Sequence, residues 1–424
     1  MLVKLPYGRS FLEVEIPDNR LAGILTPASH QAKVIGSRLV EDALKSPVNS
    51  PRLRDLATKA NNIVIVTSDH TRPVPSRQTL PLILKEVREG NPQAEISILI
   101  ATGLHRAPTA AELDDKFGPE VVAQERFVAH DANDYSMLVR LKDLPSGAPF
   151  YLNKLAAEAD LLIAEGFIEP HFFAGYSGGR KSILPGISGK ETILINHSAQ
   201  FIDHPKTESG TLEGNIFHRD MTDAARQANL RFILNVALDD EKNIIGAFAG
   251  HPEDAFAEGV KFVEKFSKLS TKRAEIVLTS NGGYPLDQNL YQAVKSIRTA
   301  EYAAKKGGVI ITAASCIDGI GGEVFRQMLR HPEGAKKILE EIRSTEPAAT
   351  PFDQWQVQVL VRTLQDYRVI IVTDGVESST LNEMGLESTP DLGDALNRAY
   401  EAMGPEAKVV VIPNGAGVFV ESED

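Results

Sequence analysis

The chain has 424 residues, of which 42% are hydrophobic and 24% are charged, and its net charge is -12. This length exceeds one ordinary domain of roughly 100–200 residues, so two domains are expected. The negative charge is spread along the chain, which argues against a nucleic-acid-binding surface and for small-molecule partners.

Two further features restrict the class of protein. Cys316 is the single cysteine, so the chain cannot form an internal disulfide, and a bound metal would need histidine, carboxylate or cofactor ligands. The first residues lack an apolar segment of signal-peptide length, and the apolar runs are too short to cross a membrane. We therefore expect a cytoplasmic protein without membrane contact.

Strand-like apolar runs alternate with helical segments through most of the chain. The runs cover residues 62–67, 95–101, 160–165, 231–236, 275–279, 308–313, 368–373 and 408–412. Between the first two, residues 80–89 have the apolar spacing of an amphipathic helix that Gly90 ends. This alternation predicts an α/β fold with mostly parallel sheets that helices cover on both faces.

The helical pattern of residues 254–270 ends in small polar and basic residues at 269–273, before another strand begins. We place a domain boundary there and predict an N-terminal domain of residues 1–270 and a doubly wound C-terminal domain of residues 271–424. Ligands commonly bind between two such domains, so we expect an active-site cleft there.

Two polar segments directly follow strands, where open α/β sheets present loops to ligands. The first, SDHTRPVP at 68–75, is stiffened by Pro73 and Pro75. It could bind an anion, or it could simply cap the next helix. The second, ATGLHR at 101–106, contains His105, which is suited to proton transfer but could also be an ordinary surface histidine.

A third segment, at 169–186, combines several glycines with the sequence Arg180-Lys181-Ser182. Glycine backbone and cationic side chains favour a phosphate cradle, although a structural glycine-rich turn remains open. It is not a Walker A loop, because Arg180 separates Gly179 from Lys181. Nucleotide hydrolysis is therefore not favoured.

A fourth segment, at 280–295, opens the predicted C-terminal domain. If its helix begins near Asp287, Tyr291 and Lys295 share one helix face and Gln292 lies beside Lys295. That face could bind a carboxylate, or it could be a solvated helix start. An ordinary dinucleotide fingerprint is not supported, because the nearest candidate has Val324 in the position of its third glycine.

Together these four segments, with NHS at 196–198, IGAFAG at 245–250 and PFDQWQ at 351–356, resemble those of the nickel-dependent lactate racemase family. The resemblance implies a cofactor-binding N-terminal domain that holds a nickel-pincer nucleotide, made by separate maturation enzymes. Lys181 would bond to this nucleotide covalently, as a thioamide. His197 would be the protein ligand of a planar, four-coordinate Ni(II), the geometry that this metal commonly takes.

The same resemblance assigns roles to the other site residues. His105 and His171 correspond to the two proton-transfer residues, acting while hydride passes from Cα to the cofactor and a 2-keto acid forms. The cofactor loop corresponds to Asp69, His70, Thr71 and Arg72. Substrate contacts correspond to Arg72, Tyr291, Gln292, Lys295 and Trp355. Tyr176 stands where some relatives have phenylalanine, which would alter the polarity of the pocket.

The resemblance therefore implies an isomerase that interconverts D- and L-lactate or a closely related 2-hydroxy acid. Two alternatives stay open at this point. One is a hydrolase with zinc on His105, His171 and His197, although no HxH or HExxH spacing is present. The other is a non-catalytic carrier of the nucleotide cofactor.

Overall fold

The computed structural model describes residues 1–27, 36–239 and 241–423. The chain forms two compact units. We call residues 36–196, 204–239 and 241–265 the inserted unit, and residues 1–27, 197–203 and 266–423 the terminal unit. In the part of the chain described, no helix has both the length and the apolar character needed to cross a membrane.

The inserted unit is built on a six-stranded sheet. In spatial order its strands are Ile244–Gly250, Leu230–Leu238, Leu161–Phe167, Asn62–Ser68, Glu95–Ala101 and Arg126–Ala129. Neighbouring strands are parallel except for the first pair, which is antiparallel. The central strand NIVIVTS is buried on both faces, as its β-branched residues and helix-covered position require.

Helices and two small hairpins complete this unit. The helices are Ser37–Lys45, Leu53–Ala57, Ser76–Gly90, Ala110–Phe117, Pro119–Gln124, Lys154–Ala157, Lys190–Asn196, Ile216–Gln227 and Pro252–Ser267, with 3₁₀ turns at Tyr135–Met137 and Gly179–Ser182. The paired short strands are Leu138–Arg140 with Tyr151–Asn153, and Pro170–His171 with Gly175–Tyr176. Apolar side chains of Ser76–Gly90 pack on Ile63 and Ile65 of the central strand in one buried core.

The terminal unit has its own six-stranded sheet, and all its neighbouring strands are parallel. In spatial order they are Glu387–Thr389, Arg368–Val372, Ala304–Ala313, Ala274–Ser280, Val409–Ile412 and Leu21–Ile24. The antiparallel hairpin Leu2–Tyr7 with Ser10–Glu15 contributes Val3 and Leu5 to the core beneath this sheet.

The helices of the terminal unit are Ala199–Ile202, Leu290–Glu301, Glu323–Leu329, Gly334–Ser344, Gln354–Asp366, Ser378–Glu383 and Leu392–Met403, with a 3₁₀ turn at Pro347–Ala349. A further parallel pair joins Lys268–Thr271 to Phe419–Ser422. The expected continuation of the helical pattern to residue 270 is therefore wrong, because residues 268–271 are a strand.

The predicted α/β class is confirmed, and each of the eight predicted runs overlaps an observed strand. The last two residues of the helix Pro252–Ser267 belong to the terminal unit, a few residues before the predicted boundary near 270. The division into functional domains 1–270 and 271–424 stays a prediction.

Candidate active site

Two neighbouring strands of the inserted unit carry the first pair of predicted site residues. Asn62–Ser68 and Glu95–Ala101 run parallel, so the loops that follow them emerge at the same edge of the sheet. Asp69 follows the first strand and His105 follows the second. Their side chains meet, with 2.7 Å between Asp69 Oδ2 and His105 Nδ1.

The Asp69 carboxylate is almost completely buried, with 2% of the residue exposed. Its Oδ1 accepts hydrogen bonds from the backbone N–H of Thr71 at 3.0 Å and from the Thr71 hydroxyl at 2.6 Å. Burial alone would raise the pKa of Asp69, but the hydrogen bond to His105 and the charges of His105 and Arg72 outweigh it and hold the pKa well below its ordinary value. The carboxylate is therefore ionised at neutral pH.

This carboxylate decides which nitrogen of His105 is available for proton transfer. An ionised carboxylate only accepts hydrogen bonds, so neutral His105 carries its proton on Nδ1 and leaves a lone pair on Nε2. The His105 side chain is 40% exposed. His105 is thus a partly exposed histidine whose orientation is fixed by a buried carboxylate.

The other residues of the predicted cofactor loop surround this pair. Arg72 Nη1 donates to the Thr71 hydroxyl at 3.2 Å. His70 Nε2 lies 3.6 Å from Glu112 Oε1, and burial lowers the pKa of His70 so that its ring is neutral at pH 7. Two buried atoms of this segment, Ser68 Oγ and His70 Nδ1, have no hydrogen-bond partner among the described residues.

His171 and Lys181 form a second contact within the inserted unit. Nε2 of His171 lies 3.3 Å from Nζ of Lys181. The backbone N–H groups of Phe173 and Ala174 donate to Nδ1 of His171 at 3.5 and 3.3 Å. His171 is therefore held at Nδ1, and Nε2 is the nitrogen that faces the lysine.

The glycine-rich segment before Lys181 differs from the expected phosphate cradle. The backbone N–H of Gly179 donates to Asn235 Oδ1 at 2.8 Å. The Arg180 guanidinium is buried, donates to the carbonyls of Ala174, Tyr176 and Gly178, and lies over the Phe256 ring. Burial lowers the pKa of Arg180 to about 9, which leaves it charged at pH 7. These donors are used inside the protein, so their role is to shape the turn that presents Lys181.

Two further details of this segment explain its composition. Gly178 has φ +89°, and a Cβ there would lie 2.7 Å from the carbonyl oxygen of Phe167, so no other residue fits. Tyr176, the position where some relatives have phenylalanine, is completely buried.

In the terminal unit, the predicted substrate-binding residues lie on the helix Leu290–Glu301. Asn289 caps this helix, its side chain accepting the backbone N–H of Gln292 at 3.0 Å. Tyr291, Gln292 and Lys295 are half-buried, and Tyr291 and Lys295 share a face as predicted from their spacing.

The predicted helix start at Asp287 is wrong. This residue is completely buried, and its carboxylate accepts the backbone N–H groups of Gly8 at 2.7 Å and Ser315 at 3.0 Å. These contacts with Gly8 and Ser315 hold Asp287 in the loop before the helix. The helix therefore begins three residues after Asp287, at Leu290.

His197 and Trp355 also lie in the terminal unit. The two rings are edge to face with centroids 5.0 Å apart, and Trp355 Nε1 donates to the Tyr291 hydroxyl at 2.9 Å. The segment that carries His197 is held by the helix Gln354–Asp366, since Gln358 Nε2 donates to the carbonyl of Ala199 at 3.0 Å. His197 is thus packed against Trp355, which in turn is hydrogen-bonded to Tyr291.

Two further residues that are not predicted from the sequence contact the chain around the cofactor loop. Glu165 is a buried carboxylate on the strand Leu161–Phe167, and Lys116 donates to the carbonyl of Arg72 at 2.9 Å. Glu165 carries a detectable signal, because a charged residue interrupts an otherwise apolar strand. Lys116 has no such signal, since a lysine near the end of a polar helix is ordinary.

Within residues 1–27, 36–239 and 241–423, no three or more histidine, cysteine, aspartate or glutamate side chains are grouped in a way that could hold a metal ion. Neither unit by itself offers such a group among its described residues.

Comparisons with known proteins agree with these geometric findings. Residues 7–210 match the model of the lactate racemase N-terminal domain, and residues 269–420 match that of the lactate racemase C-terminal domain. The chain is 48% identical to a lactate racemase of Thermoanaerobacterium thermosaccharolyticum over 99% of both proteins. It is 45% identical to a lactate racemase of Lactiplantibacillus plantarum, again over 99% of both.

The chain belongs to the lactate racemase family. Family membership makes it a racemase, an enzyme of the isomerase class, in a family of nickel-dependent enzymes. The structure of the lactate racemase apoprotein from T. thermosaccharolyticum matches with a TM-score of 0.96, covering 99% of this chain and 100% of that one. A protein from Thermotoga maritima, 19% identical, shares the fold with a TM-score of 0.67 over 92% of this chain.

Proposed function

We propose that this racemase interconverts D- and L-lactate, with a closely related 2-hydroxy acid as the nearest other substrate. The observation that carries the proposal is the identity of 48% and 45%, over the whole chain, with two proteins that are lactate racemases. The hydroxy acid is a small anion, which agrees with the cationic residues Arg72 and Lys295 at the predicted substrate positions.

His105 and His171 are the proposed proton-transfer residues. Racemisation at a carbon that bears a hydroxyl needs one group to take the hydroxyl proton and another to return it. The Asp69 carboxylate at His105 Nδ1 leaves Nε2 as the accepting atom of a neutral ring. At His171 the backbone N–H groups of Phe173 and Ala174 donate to Nδ1, and Nε2 faces Lys181. The two imidazoles are therefore held differently at Nδ1, His105 by a carboxylate and His171 by backbone N–H groups.

A nickel-pincer nucleotide is the proposed cofactor, attached covalently to Lys181 with His197 as the protein ligand of the metal. When bound, this group would accept hydride from the substrate Cα. The residues fit such a group in two respects. Lys181 presents its amine beside the imidazole of His171. Ser68 at the end of its strand and His70 in the loop that follows each have a buried polar atom, Oγ and Nδ1, without a hydrogen-bond partner among the described residues. Unsatisfied buried polar atoms are costly, and hydrogen bonds to a bound group would satisfy them.

The proposed substrate contacts are Arg72, Tyr291, Gln292, Lys295 and Trp355. A cation beside the substrate carboxylate would offset its charge, and amide or hydroxyl donors would orient its oxygens. The hydrogen bond from Trp355 Nε1 to the Tyr291 hydroxyl fixes the two aromatic side chains relative to each other. They are suited to form the wall that limits the size of the group on the substrate Cα.

We further propose that maturation enzymes supply the cofactor and that the protein acts in the cytoplasm. The proposed cofactor is a separate small molecule, so we expect other enzymes of the producing cell to build it. Co-expression with such enzymes is therefore part of every activity test described below.

The test is a chiral assay on protein from cells that make the cofactor. L-lactate, D-lactate, malate and longer 2-hydroxy acids are incubated separately, and the enantiomers are quantified by chiral chromatography. We expect both lactate enantiomers to approach a 1:1 mixture and His105→Gln to abolish this conversion while intact mass shows the cofactor still attached. A cofactor-loaded wild type that converts none of the acids would refute the proposed function and favour a carrier.

A further inference from the structure

Glu165 lies beneath the loop that carries Asp69 and contacts the chain on both sides of that loop. Its carboxylate accepts hydrogen bonds from the hydroxyls of Thr67 at 2.6 Å and Ser76 at 3.2 Å, and also from the Thr79 hydroxyl. Thr67 precedes the loop, and Ser76 begins the helix that follows it. One buried carboxylate therefore joins the two ends of residues 69–75.

Lys116 contacts the middle of the same loop. Its Nζ donates to the carbonyl oxygen of Arg72 at 2.9 Å. Burial lowers the pKa of Lys116 to about 8, while the charges of Glu165 and Asp69 act in the opposite direction. At neutral pH the lysine is therefore a cation near two buried carboxylates, with one of its hydrogen bonds directed at the loop backbone.

The loop has little backbone hydrogen bonding of its own. The described backbone bonds within it are from Arg72 N to Asp69 O at 3.4 Å and from Ser76 N to Val74 O at 2.9 Å, and the first is long. Pro73 and Pro75 have no N–H to donate. The contacts of Asp69 with Thr71 and the two proline rings restrain the loop from within, and the side chains of Glu165 and Lys116 add restraint from outside it.

We propose that Glu165 and Lys116 are positioning residues that hold this loop so that Asp69 meets Nδ1 of His105. Glu165 restrains the loop ends, and Lys116 restrains its centre through the Arg72 carbonyl. The importance of this arrangement for turnover rests on the proposed role of His105. The arrangement itself is a property of the chain without cofactor, and it can be measured there.

The experiment records the tautomer of His105 by NMR of the full-length, cofactor-free chain with ¹⁵N-labelled histidine. Ten histidines give signals, and the spectrum of His105→Gln identifies the one of interest. The spectra are recorded near pH 7, where Lys116 is still a cation. In the neutral imidazole the two nitrogen shifts report which atom carries the proton. In the wild type we expect one species, protonated on Nδ1.

The test variants are Lys116→Met and Glu165→Gln, which keep approximate side-chain size and remove the charge. Both should convert the single Nδ1–H signature of His105 into a mixture of tautomers. Lys116→Arg keeps a cationic donor and should retain the wild-type signature. The matched controls are Lys85→Met and Glu95→Gln, because both side chains are exposed on neighbouring elements of the same unit.

Glu165→Gln removes a buried carboxylate and could prevent folding, so Thr79→Val and Thr79→Ser provide a milder pair. Valine removes one hydroxyl from the Glu165 network, whereas serine keeps it. Thermal unfolding shows which variants are folded. A folded Lys116→Met and a folded Thr79→Val that both keep the wild-type tautomer would overturn the proposal.

The tautomer readout needs neither cofactor nor substrate, so it separates this proposal from the proposed function. If the tautomer depends on Lys116 but loaded protein does not racemise any acid, the positioning role stands and the function fails. If the protein racemises lactate but the tautomer is unaffected in the variants, the function stands and the positioning role fails.

Discussion

The substitution Asp69→Asn tests the Asp69–His105 pair with little change of shape. The carboxylate accepts from Thr71 twice and from His105 once, at 2.6–3.0 Å. Asparagine keeps one accepting oxygen, so it can preserve the turn with Thr71 while presenting an NH₂ group to His105 Nδ1. His105 then accepts at Nδ1 and holds its proton on Nε2, the wrong tautomer for a base acting through Nε2.

The expected fall in kcat of Asp69→Asn follows from the hydrogen bond to His105 that is lost. A hydrogen bond to a charged group contributes about 1.5–3 kcal/mol, and each 1.4 kcal/mol is tenfold in rate. The His105 side chain is 40% exposed, so the lower end of this energy range applies to the hydrogen bond that orients the ring. Loss of ring orientation alone therefore gives about a tenfold loss of kcat. Loss of the correct tautomer also removes the general base, which contributes about 100-fold or more to kcat. We therefore expect kcat to fall by about 100-fold or more, with KM little changed.

The assay is the initial rate of D-lactate formation from L-lactate, divided by the fraction of chains that carry cofactor in an intact-mass spectrum. The control is Asp134→Asn, because Asp134 makes the same turn without a histidine partner, accepting from the Ser136 N–H at 3.1 Å and the Ser136 hydroxyl at 2.6 Å. The reasoning is refuted if Asp69→Asn, loaded equally, retains the wild-type kcat.

Three further predictions concern stability and the aromatic pair. Gly178→Ala should lower the free energy of unfolding in urea by about 1–3 kcal/mol more than Gly147→Ala does. Both glycines have φ near +90°, but a Cβ would clash with neighbouring atoms only at Gly178. Equal losses of stability in the two variants would contradict this prediction. The depressed pKa of Asp69 adds stability that is complete above its unfolded pKa of about 3.9 and is lost as the pH falls through the lower folded value. Asp69→Asn should therefore reduce the acid-induced fall in Tm below about pH 4, and an unchanged slope would argue against that depressed pKa. Trp355→Phe and Tyr291→Phe remove the same hydrogen bond from opposite ends, so their effects on kcat/KM for lactate should be less than additive in a double-mutant cycle; strict additivity would exclude coupling.

The central strands are predictable from sequence because strands that helices cover on both faces must be continuously apolar. Residues 62–67 and 95–101 show this pattern and form adjacent strands. The edge strands are not predictable in this way. Leu21–Ile24 is short and half-exposed, and it joins its sheet beside Val409–Ile412 from the far end of the chain.

In the candidate site, too, features that depend on neighbouring residues are predictable, and features that depend on partners far along the chain are not. The spacing of Tyr291 and Lys295 correctly places them on one helix face, because that follows from helix geometry. The roles of Arg180 and Asp287 could not be obtained from spacing, since both are decided by distant partners. Arg180 is buried against backbone carbonyls and Phe256, and Asp287 joins Gly8 to Ser315. Buried polar residues need partners, but a single sequence does not identify them.

The most direct test of the central claim is racemisation of L-lactate in D₂O by cofactor-loaded protein, followed by chiral separation and mass spectrometry of the product. We predict that L-lactate approaches a 1:1 mixture with D-lactate and that the Cα hydrogen of the product is protium, because it leaves and returns as hydride and does not exchange with solvent. Lys181→Ala should form no D-lactate. The account is contradicted if cofactor-loaded wild-type protein forms no D-lactate, or if the D-lactate that it forms carries deuterium at Cα.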